Sequence, residues 1–279
     1  MDHQPAGAAP RLALIGTGVM GGAILSGLRA SAARPWDVTL VDAAPGRAAR
    51  LAAELGVSHA ESVAEAAGSA DVVLLATKPK DVAAVLGQLA AIGAQTLVVS
   101  IAAGLSTAFY EARLPAGVAV VRVMPNTPAT IGRGISAISA GSHAGESHLE
   151  LVEELLAATG VVVRVAEKDQ DAVTAISGSG PAYVFYVIDA LAEAGVLMGL
   201  TRELALELAT QTVLGAAALA SETGEHPAVL RERVSSPGGT TVAALHRLDA
   251  AGVRAAFVDA AQAAARRAGE LGRELGAGT

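Results

Sequence analysis

A glycine-rich turn follows the first apolar run of the chain and is the clearest candidate for ligand binding. The run Arg11–Ile15 leads into GTGVMG at residues 16–21, where an apolar helical pattern begins. The first glycine permits a tight bend, the second lets the backbone approach a pyrophosphate, and the third lets helix and strand pack closely. A glycine-rich helix start without a ligand would show the same pattern. Asp42 stands 21 residues after Gly21, close to the spacing of about 20 expected for an acid that contacts a dinucleotide ribose.

Three further segments follow later apolar runs and are candidates to meet the same ligand. They are Ala76-Thr77-Lys78-Pro79, Ile101-Ala102-Ala103-Gly104 and Met124-Pro125-Asn126-Thr127-Pro128. Ligands of open α/β sheets bind outside the carboxyl ends of the strands, so these segments would converge there. Lys78 is either a cofactor contact or a solvated loop lysine. Asn126 is either a cofactor contact or the polar anchor of its proline turn.

Two segments in the second half of the chain differ from ordinary connections between helices. ISGSGPAY at residues 176–183 places Pro181 at the start of a helix after a turn of small residues. VSSPGGTT at residues 234–241 presents backbone N–H groups at another helix start, where the helix dipole favours an anion. The first segment fits a structural turn as well as a binding site. The second predicts an anion cradle, with a structural capping turn as the alternative.

The elements that position these residues follow from the hydrophobic pattern. Nearly continuous apolar runs, rich in β-branched residues, predict strands buried on both faces of a parallel sheet. The predicted strands are Arg11–Ile15, Val38–Asp42, Asp71–Ala76, Thr96–Ser100, Ala119–Met124, Ile135–Ser139 and Val161–Val165. Helical patterns such as Met20–Ala30, Gly46–Leu55 and Asp81–Leu89 lie between them. The alternation predicts the α/β class, with a Rossmann-type doubly wound parallel sheet over residues 1–166.

The strand pattern stops at about Glu167, and the remainder predicts helices only. These are Asp169–Ile176, Pro181–Met198, Thr201–Thr223, Pro227–Val234, Thr241–Asp249 and Val253–Leu275. The longer helices are apolar on more than one face, and such a face must be covered. We therefore predict an all-α dimerisation and substrate domain over residues 167–279, through which subunits pack.

Composition and charge exclude several classes of protein. The chain has no cysteine, which excludes a disulfide framework, a thiolate zinc site and a cysteine nucleophile. A net charge of −7 gives no basic field for nucleic acid. Uninterrupted apolar runs are five to eight residues long, whereas a membrane span needs about 20, and residues 1–10 lack the features of a signal peptide. His143 and His148 have the wrong spacing for two metal ligands on one helical face. The sequence predicts a cytoplasmic protein without membrane, nucleic-acid or metal partners.

The chain resembles the pyrroline-5-carboxylate reductase family from Leu12 to about Leu271. The resemblance rests on IGTGVMGGAI, ATKPKDV, VVSIAAG, RVMPNTPA, ISGSGPAYVF and VSSPGGTTVAAL, which occur in the family's order. The first segment is shared with many dehydrogenases, and the last two are specific. The resemblance implies NAD(P)H-dependent reduction of the small molecule 1-pyrroline-5-carboxylate to L-proline, the last step of proline biosynthesis. It also implies a homodimer that often assembles into a larger ring, such as a decamer.

The resemblance also places cofactor and substrate on particular residues. The implied cofactor-binding residues are Ile15, Gly16, Thr17, Gly18, Val19, Met20, Ala76, Thr77, Lys78, Pro79, Ile101, Ala102 and Ala103. Gly21 and Asp42 join them from the glycine-rich pattern. The implied substrate-binding residues are Ser236, Gly239, Thr240 and Thr241. Many relatives end the second strand with Asn followed by Arg, whereas here Asp42 is followed by Ala43. This departure argues against the usual contact to a 2′-phosphate and favours NADH over NADPH.

Thr241 is the candidate catalytic residue. A cyclic imine can arrive already protonated, so no strong acid is required, in agreement with the absence of His and Lys from the substrate segments. The Thr241 hydroxyl would hydrogen-bond to the ring nitrogen, while the backbone amides of Gly239 and Thr240 hold the substrate carboxylate.

Two other functions fit the same general pattern. A related imine reductase or β-hydroxyacid dehydrogenase would share the dinucleotide domain. The latter needs a lysine in its second domain, where the chain has only Lys168 at the boundary. A nucleotide-sensing protein would bind the dinucleotide without turning it over, and a turnover assay with the imine and NADH separates it from a reductase.

Overall fold

A computed structural model describes residues 9–30 and 34–277, with side chains to residue 276. Residues 1–8, on which the prediction about a signal peptide mostly rests, lie outside the described residues. The described strands are β1 (Arg11–Ile15), β2 (Asp37–Val41), β3 (Ser58–His59), β4 (Val72–Leu75), β5 (Leu97–Ser100), β6 (Ala119–Met124), β7 (Gly134–Ala140) and β8 (Gly160–Arg164). The described α-helices are α1 (Val19–Ala30), α2 (Arg47–Leu55), α3 (Val63–Ala67), α4 (Val82–Gly87), α5 (Thr107–Glu111), α6 (Glu146–Leu156), α7 (Gln170–Val173), α8 (Gly180–Leu197), α9 (Arg202–Thr223), α10 (Pro227–Arg233), α11 (Thr240–Ala250) and α12 (Val253–Ala277).

The strands form one mostly parallel sheet, which confirms the predicted doubly wound α/β fold. Their order is β3-β2-β1-β4-β5-β6-β7-β8. Strands β2 and β3 are added on one side of β1, and strands β4 to β8 are added on its other side. Several strand ends differ from the predicted ones by one residue, and two details of the topology differ from the prediction. The two-residue strand β3 was not predicted, and β7 pairs antiparallel with β6. Nine residues join β6 to β7, fewer than the dozen or so that a parallel crossover requires, so β7 runs antiparallel.

Both faces of the sheet are covered, which explains why the strand sequences are continuously apolar. Along β1, Leu12 and Leu14 belong to the core on one face, and Ala13 and Ile15 belong to the core on the other. All four are at most 2% exposed. Because successive side chains of a strand point to opposite faces, a strand buried on both sides cannot show the polar alternation of a surface sheet.

The described chain divides into two compact units. The first unit contains the sheet and runs to Gly178, and residues from Ala264 onward also belong to it. The second unit, Ser179–Ala263, is all-helical. The predicted domain boundary at residues 166 and 167 stays a prediction. Glu167 belongs to the first unit, where its carboxylate accepts hydrogen bonds of 2.6 Å from the N–H and the hydroxyl of Thr107 at the start of α5.

The helical unit buries little of its apolar surface within one chain. Its small core contains Ala192, Ala205 and Ala209, and a Cβ added at Gly195 would lie 2.8 Å from the Ala205 Cβ, so α8 and α9 pack closely. Tyr186 is 76% exposed and Leu214 is 60% exposed. Two helical segments, Glu167–Leu197 and Arg202–Thr223, have the length and composition of a membrane span. The length of uninterrupted apolar runs in the sequence did not reveal these two segments, because single polar residues and glycines divide each of them into short runs.

Candidate active site

A crevice of about 410 Å³ lies at the carboxyl ends of the central strands, in the sheet unit. Residues that follow β1, β4, β5 and β6 line it, as expected for a doubly wound sheet. Eight of the predicted cofactor residues meet there: Gly18, Val19, Met20, Ala76, Thr77, Lys78, Ile101 and Ala103. The other seven, Ile15, Gly16, Thr17, Gly21, Asp42, Pro79 and Ala102, do not line the crevice.

The glycines of the turn between β1 and α1 have three different environments. Gly16 has φ of +98°, and a Cβ there would lie 2.7 Å from the carbonyl oxygen of Ala76. A Cβ at Gly21 would collide with the carbonyl oxygen of Gly16. By contrast, a Cβ at Gly18 would meet no protein atom within 4 Å. Gly16 and Gly21 therefore serve the fold, whereas packing of the described chain does not explain the glycine at position 18.

Asp42 immediately follows β2 and is held by the glycine-rich turn. Its Oδ2 accepts hydrogen bonds of 2.7 Å from both the N–H and the hydroxyl of Thr17, and its Oδ1 accepts one of 2.8 Å from the N–H of Ala44. Arg47 Nη1 lies 3.6 Å from Oδ2. Burial by itself would raise the pKa of the Asp42 carboxyl, but the hydrogen bonds from Ala44 and Thr17 and the charge of Arg47 hold that pKa below its ordinary value. Asp42 is therefore a fixed anion beside the turn.

Thr77 provides a polar group that the protein leaves unpaired. Its Oγ is buried and has no hydrogen-bond partner, although Thr77 lines the crevice. A buried hydroxyl without a partner costs free energy, which a hydrogen bond from a ligand or a water molecule would recover. Lys78, next to it, is exposed at the crevice, and the structure leaves both of its interpretations open.

A buried pair of hydroxyls supports the segment after β5. The Ser100 Oγ and the Tyr110 hydroxyl lie 2.6 Å apart, and the N–H of Ala102 donates to the Ser100 Oγ at 3.2 Å. Burial raises the pKa of Tyr110 to about 12, so its hydroxyl stays protonated. The pair thereby fixes the backbone between Ile101 and Ala103, the two residues of this segment that line the crevice. The sequence showed the segment but not its support.

Asn126 and Gly178, the latter from the ISGSGPAY segment, also line the crevice. The Asn126 Nδ2 donates to the carbonyl oxygen of Ser177 at 3.2 Å, and its Oδ1 accepts from the N–H of Ile135 at 2.9 Å. These bonds support its interpretation as a polar anchor, and because Asn126 also lines the crevice, its interpretation as a cofactor contact stays a prediction. The predicted helix Asp169–Ile176 is α7 followed by a π-helical turn, Thr174–Gly178. Gly178 lines the crevice, and a Cβ there would collide with the Met124 side chain.

The segment VSSPGGTT lies in the helical unit, at the start of α11. Gly238 has φ of +69°, and the N–H of Gly239 donates to the carbonyl oxygen of Ser236 at 2.9 Å. No side chain caps α11. The Ser235 hydroxyl, however, donates to the carbonyl oxygen of Arg231 in the last turn of α10 at 2.6 Å, so for this hydroxyl the structure supports the capping alternative. Because the Gly239 N–H is already paired, the N–H groups available to an anion are those of the first turn of the helix, beginning with Thr240 and Thr241. This differs from the pairing expected from the sequence.

No group of three or more His, Asp or Glu side chains is arranged to hold a metal ion within residues 9–30 and 34–277.

The chain is similar in sequence and in structure to proteins of known family. Residues 167–271 match the family model "Pyrroline-5-carboxylate reductase dimerisation", and residues 11–104 match "NADP oxidoreductase coenzyme F420-dependent". The chain is 46% identical to pyrroline-5-carboxylate reductase from Corynebacterium melassecola over 94% of this chain and 98% of that protein. It is 42% identical to the Methanosarcina acetivorans protein of the same name, over 95% and 98% of the two chains. The solved pyrroline-5-carboxylate reductase from Coxiella burnetii has a TM-score of 0.89 and 36% identity, over 95% and 99% of the two chains.

A Rossmann-type sheet with a glycine-rich turn, a crevice at its carboxyl edge and a helical second unit define a dinucleotide-dependent oxidoreductase. Within that class, the chain belongs to the pyrroline-5-carboxylate reductase family. Its reaction is the reduction of 1-pyrroline-5-carboxylate to L-proline by NAD(P)H. Membership distinguishes it from the β-hydroxyacid dehydrogenases that the sequence left as an alternative. The resemblance read from the sequence motifs is confirmed.

Proposed function

We propose that the glycine-rich turn and the crevice bind the dinucleotide, with the pyrophosphate at the turn and the nicotinamide half in the crevice. The observation that carries the proposal is the open backbone at Gly18, because a phosphate can approach it without meeting a side chain. The N–H groups at the start of α1 supply donors, and the helix dipole favours the negative charge. The unpaired Thr77 hydroxyl is the kind of group that a ligand would satisfy. Ile101 and Ala103 present an apolar wall.

The test replaces Gly18 with alanine and measures the affinity for NADH and NADPH by calorimetry. The new methyl group has no protein neighbour within 4 Å, so folding is unaffected, but it would occupy the phosphate position. We expect both affinities to fall by at least about tenfold, equivalent to about 1.4 kcal/mol, with an unchanged Tm.

Gly22→Ala is the matched control, since a Cβ at Gly22 also meets no protein atom within 4 Å but Gly22 does not line the crevice. Its affinities should equal those of the wild type. An unchanged affinity of Gly18→Ala would place the phosphates elsewhere.

The start of α11 is proposed as the substrate site. The N–H groups of Thr240 and Thr241 would hold the substrate carboxylate, as anions bind at helix N-termini, while Gly239 and the Ser236 carbonyl form the turn. The Thr241 hydroxyl would donate to the ring nitrogen as that nitrogen becomes an amine. A bound NAD(P)H supplies the hydride for the C=N bond. The chain thus binds, orients and hydrogen-bonds the substrate and needs no strongly acidic side chain.

We further propose that NADH is preferred over NADPH. Asp42 is anionic, its pKa is held low, and its Oδ1 retains acceptor capacity after the bond from Ala44. An adenosine ribose hydroxyl could donate to it, whereas a 2′-phosphate would bring like charge to the same place. The crystal structure of the Plasmodium falciparum relative, 28% identical with a TM-score of 0.84 over 94% of this chain and 98% of that one, contains NADP. The preference is therefore proposed for this chain from Asp42 alone.

A second copy of the chain is proposed to cover the apolar surface of the helical unit. The segment matched by the dimerisation model includes α8 and α9, whose exposed apolar side chains include Tyr186 and Leu214. Pairing of two such surfaces also accounts for the two membrane-like helical segments without a membrane. We propose the domain boundary near residue 167, a homodimer that assembles into a larger ring such as a decamer, and a cytoplasmic location without nucleic-acid or membrane partners.

The proposed dimer can be tested by sedimentation of the wild type and of a variant with a charge on the apolar surface. The wild type should sediment as a dimer or larger assembly at micromolar concentration, with more than about 2,000 Å² buried in total between two subunits. Leu214→Glu, at a position 60% exposed in one chain, should shift the equilibrium to smaller species. Val161→Glu makes the same change at a position 61% exposed in the sheet unit and should leave the assembly intact. A wild type that is a stable monomer would refute the proposal.

A further inference from the structure

Two neighbouring groups of Thr17 donate to one oxygen of Asp42. The N–H and the hydroxyl of Thr17 each lie 2.7 Å from Asp42 Oδ2, although the residues are 25 positions apart. The side chain of Asp42 is 7% exposed and Thr17 is 8% exposed, so this contact is largely shielded from water. The glycines of the turn explain a close approach of the backbone, but they do not require a hydroxyl at position 17.

We propose that Thr17 is a positioning residue for cofactor selection, whose hydroxyl holds the Asp42 carboxylate in the orientation that favours NADH over NADPH. The inference rests on the proposed binding of the dinucleotide at this turn. Thr17 does not line the crevice, and it acts through Asp42.

The available lone pairs of the carboxylate define this orientation. An ionised carboxylate offers about four acceptor positions, two on each oxygen. The two Thr17 donors occupy those of Oδ2, and Ala44 occupies one on Oδ1. One acceptor position remains, on Oδ1, and it is the one available to a ribose hydroxyl. The N–H and the hydroxyl of Thr17 together therefore saturate Oδ2 and leave the free acceptor position on Oδ1, and the hydroxyl is the part of this arrangement that a change of side chain can remove.

Arg47 is the group that competes with Thr17 for the same oxygen. Its Nη1 lies 3.6 Å from Oδ2, beyond hydrogen-bond distance, and its side chain is 49% exposed. Without the Thr17 hydroxyl, Oδ2 would have an open acceptor position, and Arg47 would close on it. Closure would turn the carboxylate from its present orientation and partly neutralise the charge that opposes a 2′-phosphate. Loss of the hydroxyl should thus weaken NADH binding while relieving the exclusion of NADPH.

The test is a double-mutant cycle on kcat/KM for the two cofactors at fixed salt. Thr17→Val retains the branched shape and the backbone N–H but removes the hydroxyl. We expect the ratio of kcat/KM for NADH to that for NADPH to fall by about three- to tenfold, mainly through a higher KM for NADH with little change in kcat. Thr17→Ser keeps the hydroxyl and should restore the ratio to within about twofold of the wild type.

The Asp42→Asn background shows whether Thr17 acts through Asp42. There, adding Thr17→Val should leave the ratio unchanged within about twofold, because residues that act through one contact are not additive. An unchanged ratio in Thr17→Val alone, or the same fall in both backgrounds, would overturn the inference. A wild type that prefers NADPH would instead contradict the proposed cofactor preference, and the cycle would still report the coupling. The Tm of each variant separates a general loss of folding from a selective effect on NADH.

Discussion

Replacing Thr241 with alanine is expected to lower kcat/KM for 1-pyrroline-5-carboxylate by about 5- to 150-fold, equivalent to about 1–3 kcal/mol. The hydroxyl at the start of α11 caps nothing in the structure, so its proposed partner is the ring nitrogen of the substrate. A hydrogen bond that strengthens as the imine becomes an amine affects the transition state more than the bound substrate. The loss should therefore occur in kcat as well as in kcat/KM. Steady-state kinetics at saturating cofactor measures both.

Two further variants control this experiment. Thr241→Val keeps the branched shape without the hydroxyl and should resemble Thr241→Ala. Ser235→Ala removes another hydroxyl of the same segment, one that donates to the carbonyl oxygen of Arg231 at 2.6 Å. Its kcat/KM should stay within about twofold of the wild type, whereas its Tm should fall slightly. If both Thr241 variants retain wild-type kcat/KM, Thr241 has no role in the reaction.

The second large effect concerns Asp42 and the choice of cofactor. A unit charge pair at about 4 Å and an effective dielectric constant near 20 interacts by about 4 kcal/mol before screening. Salt and side-chain relaxation reduce this to about 1–3 kcal/mol, so NADH should be preferred over NADPH by about 5- to 150-fold. Because hydrogen bonds keep the pKa of Asp42 below its ordinary value, the carboxylate is charged at neutral pH. The measurement is kcat/KM for each cofactor at fixed salt.

Asp42→Asn should narrow the preference, since the amide keeps a similar shape without the charge. Arg47→Ala should widen it, because Arg47 is the cation beside Asp42 that could pair with a 2′-phosphate. A wild type that favours NADPH tenfold or more would show that Arg47 or another contact outweighs Asp42, and the proposed preference would be wrong.

The sheet and its glycine-rich turn could be predicted because their signals are local. A strand buried on both faces requires a continuous apolar run, and β1 has one directly before the turn. The two-residue strand β3 has no such signal, since Ser58 and His59 are both exposed and polar. The antiparallel direction of β7 follows from the short connection after β6. The distance between the two predicted strands in the sequence already implied this direction, but the hydrophobic pattern of each strand does not.

The site could be predicted as a set of segments but not as a set of contacts. The eight predicted residues that line the crevice all come from motifs at strand ends. The partners of Asp42 and Asn126 lie elsewhere in the chain: Thr17 is 25 positions from Asp42, and Ser177 is 51 positions from Asn126. Such pairings depend on how the strands come together, which no local pattern encodes. The buried pair of Ser100 and Tyr110 was missed for the same reason.

Turnover of the cyclic imine by the purified protein tests the proposed reaction most directly. The protein is incubated with 1-pyrroline-5-carboxylate and NADH, the absorbance of the nicotinamide band is followed, and L-proline is quantified at the same times. We expect a steady loss of absorbance, with one L-proline formed for each NADH consumed and both rates strongly reduced in Thr241→Ala. Saturable binding of NADH and of NADPH, with no loss of absorbance and no L-proline from either cofactor, would contradict the proposed reaction and indicate a protein that binds the dinucleotide without catalysis.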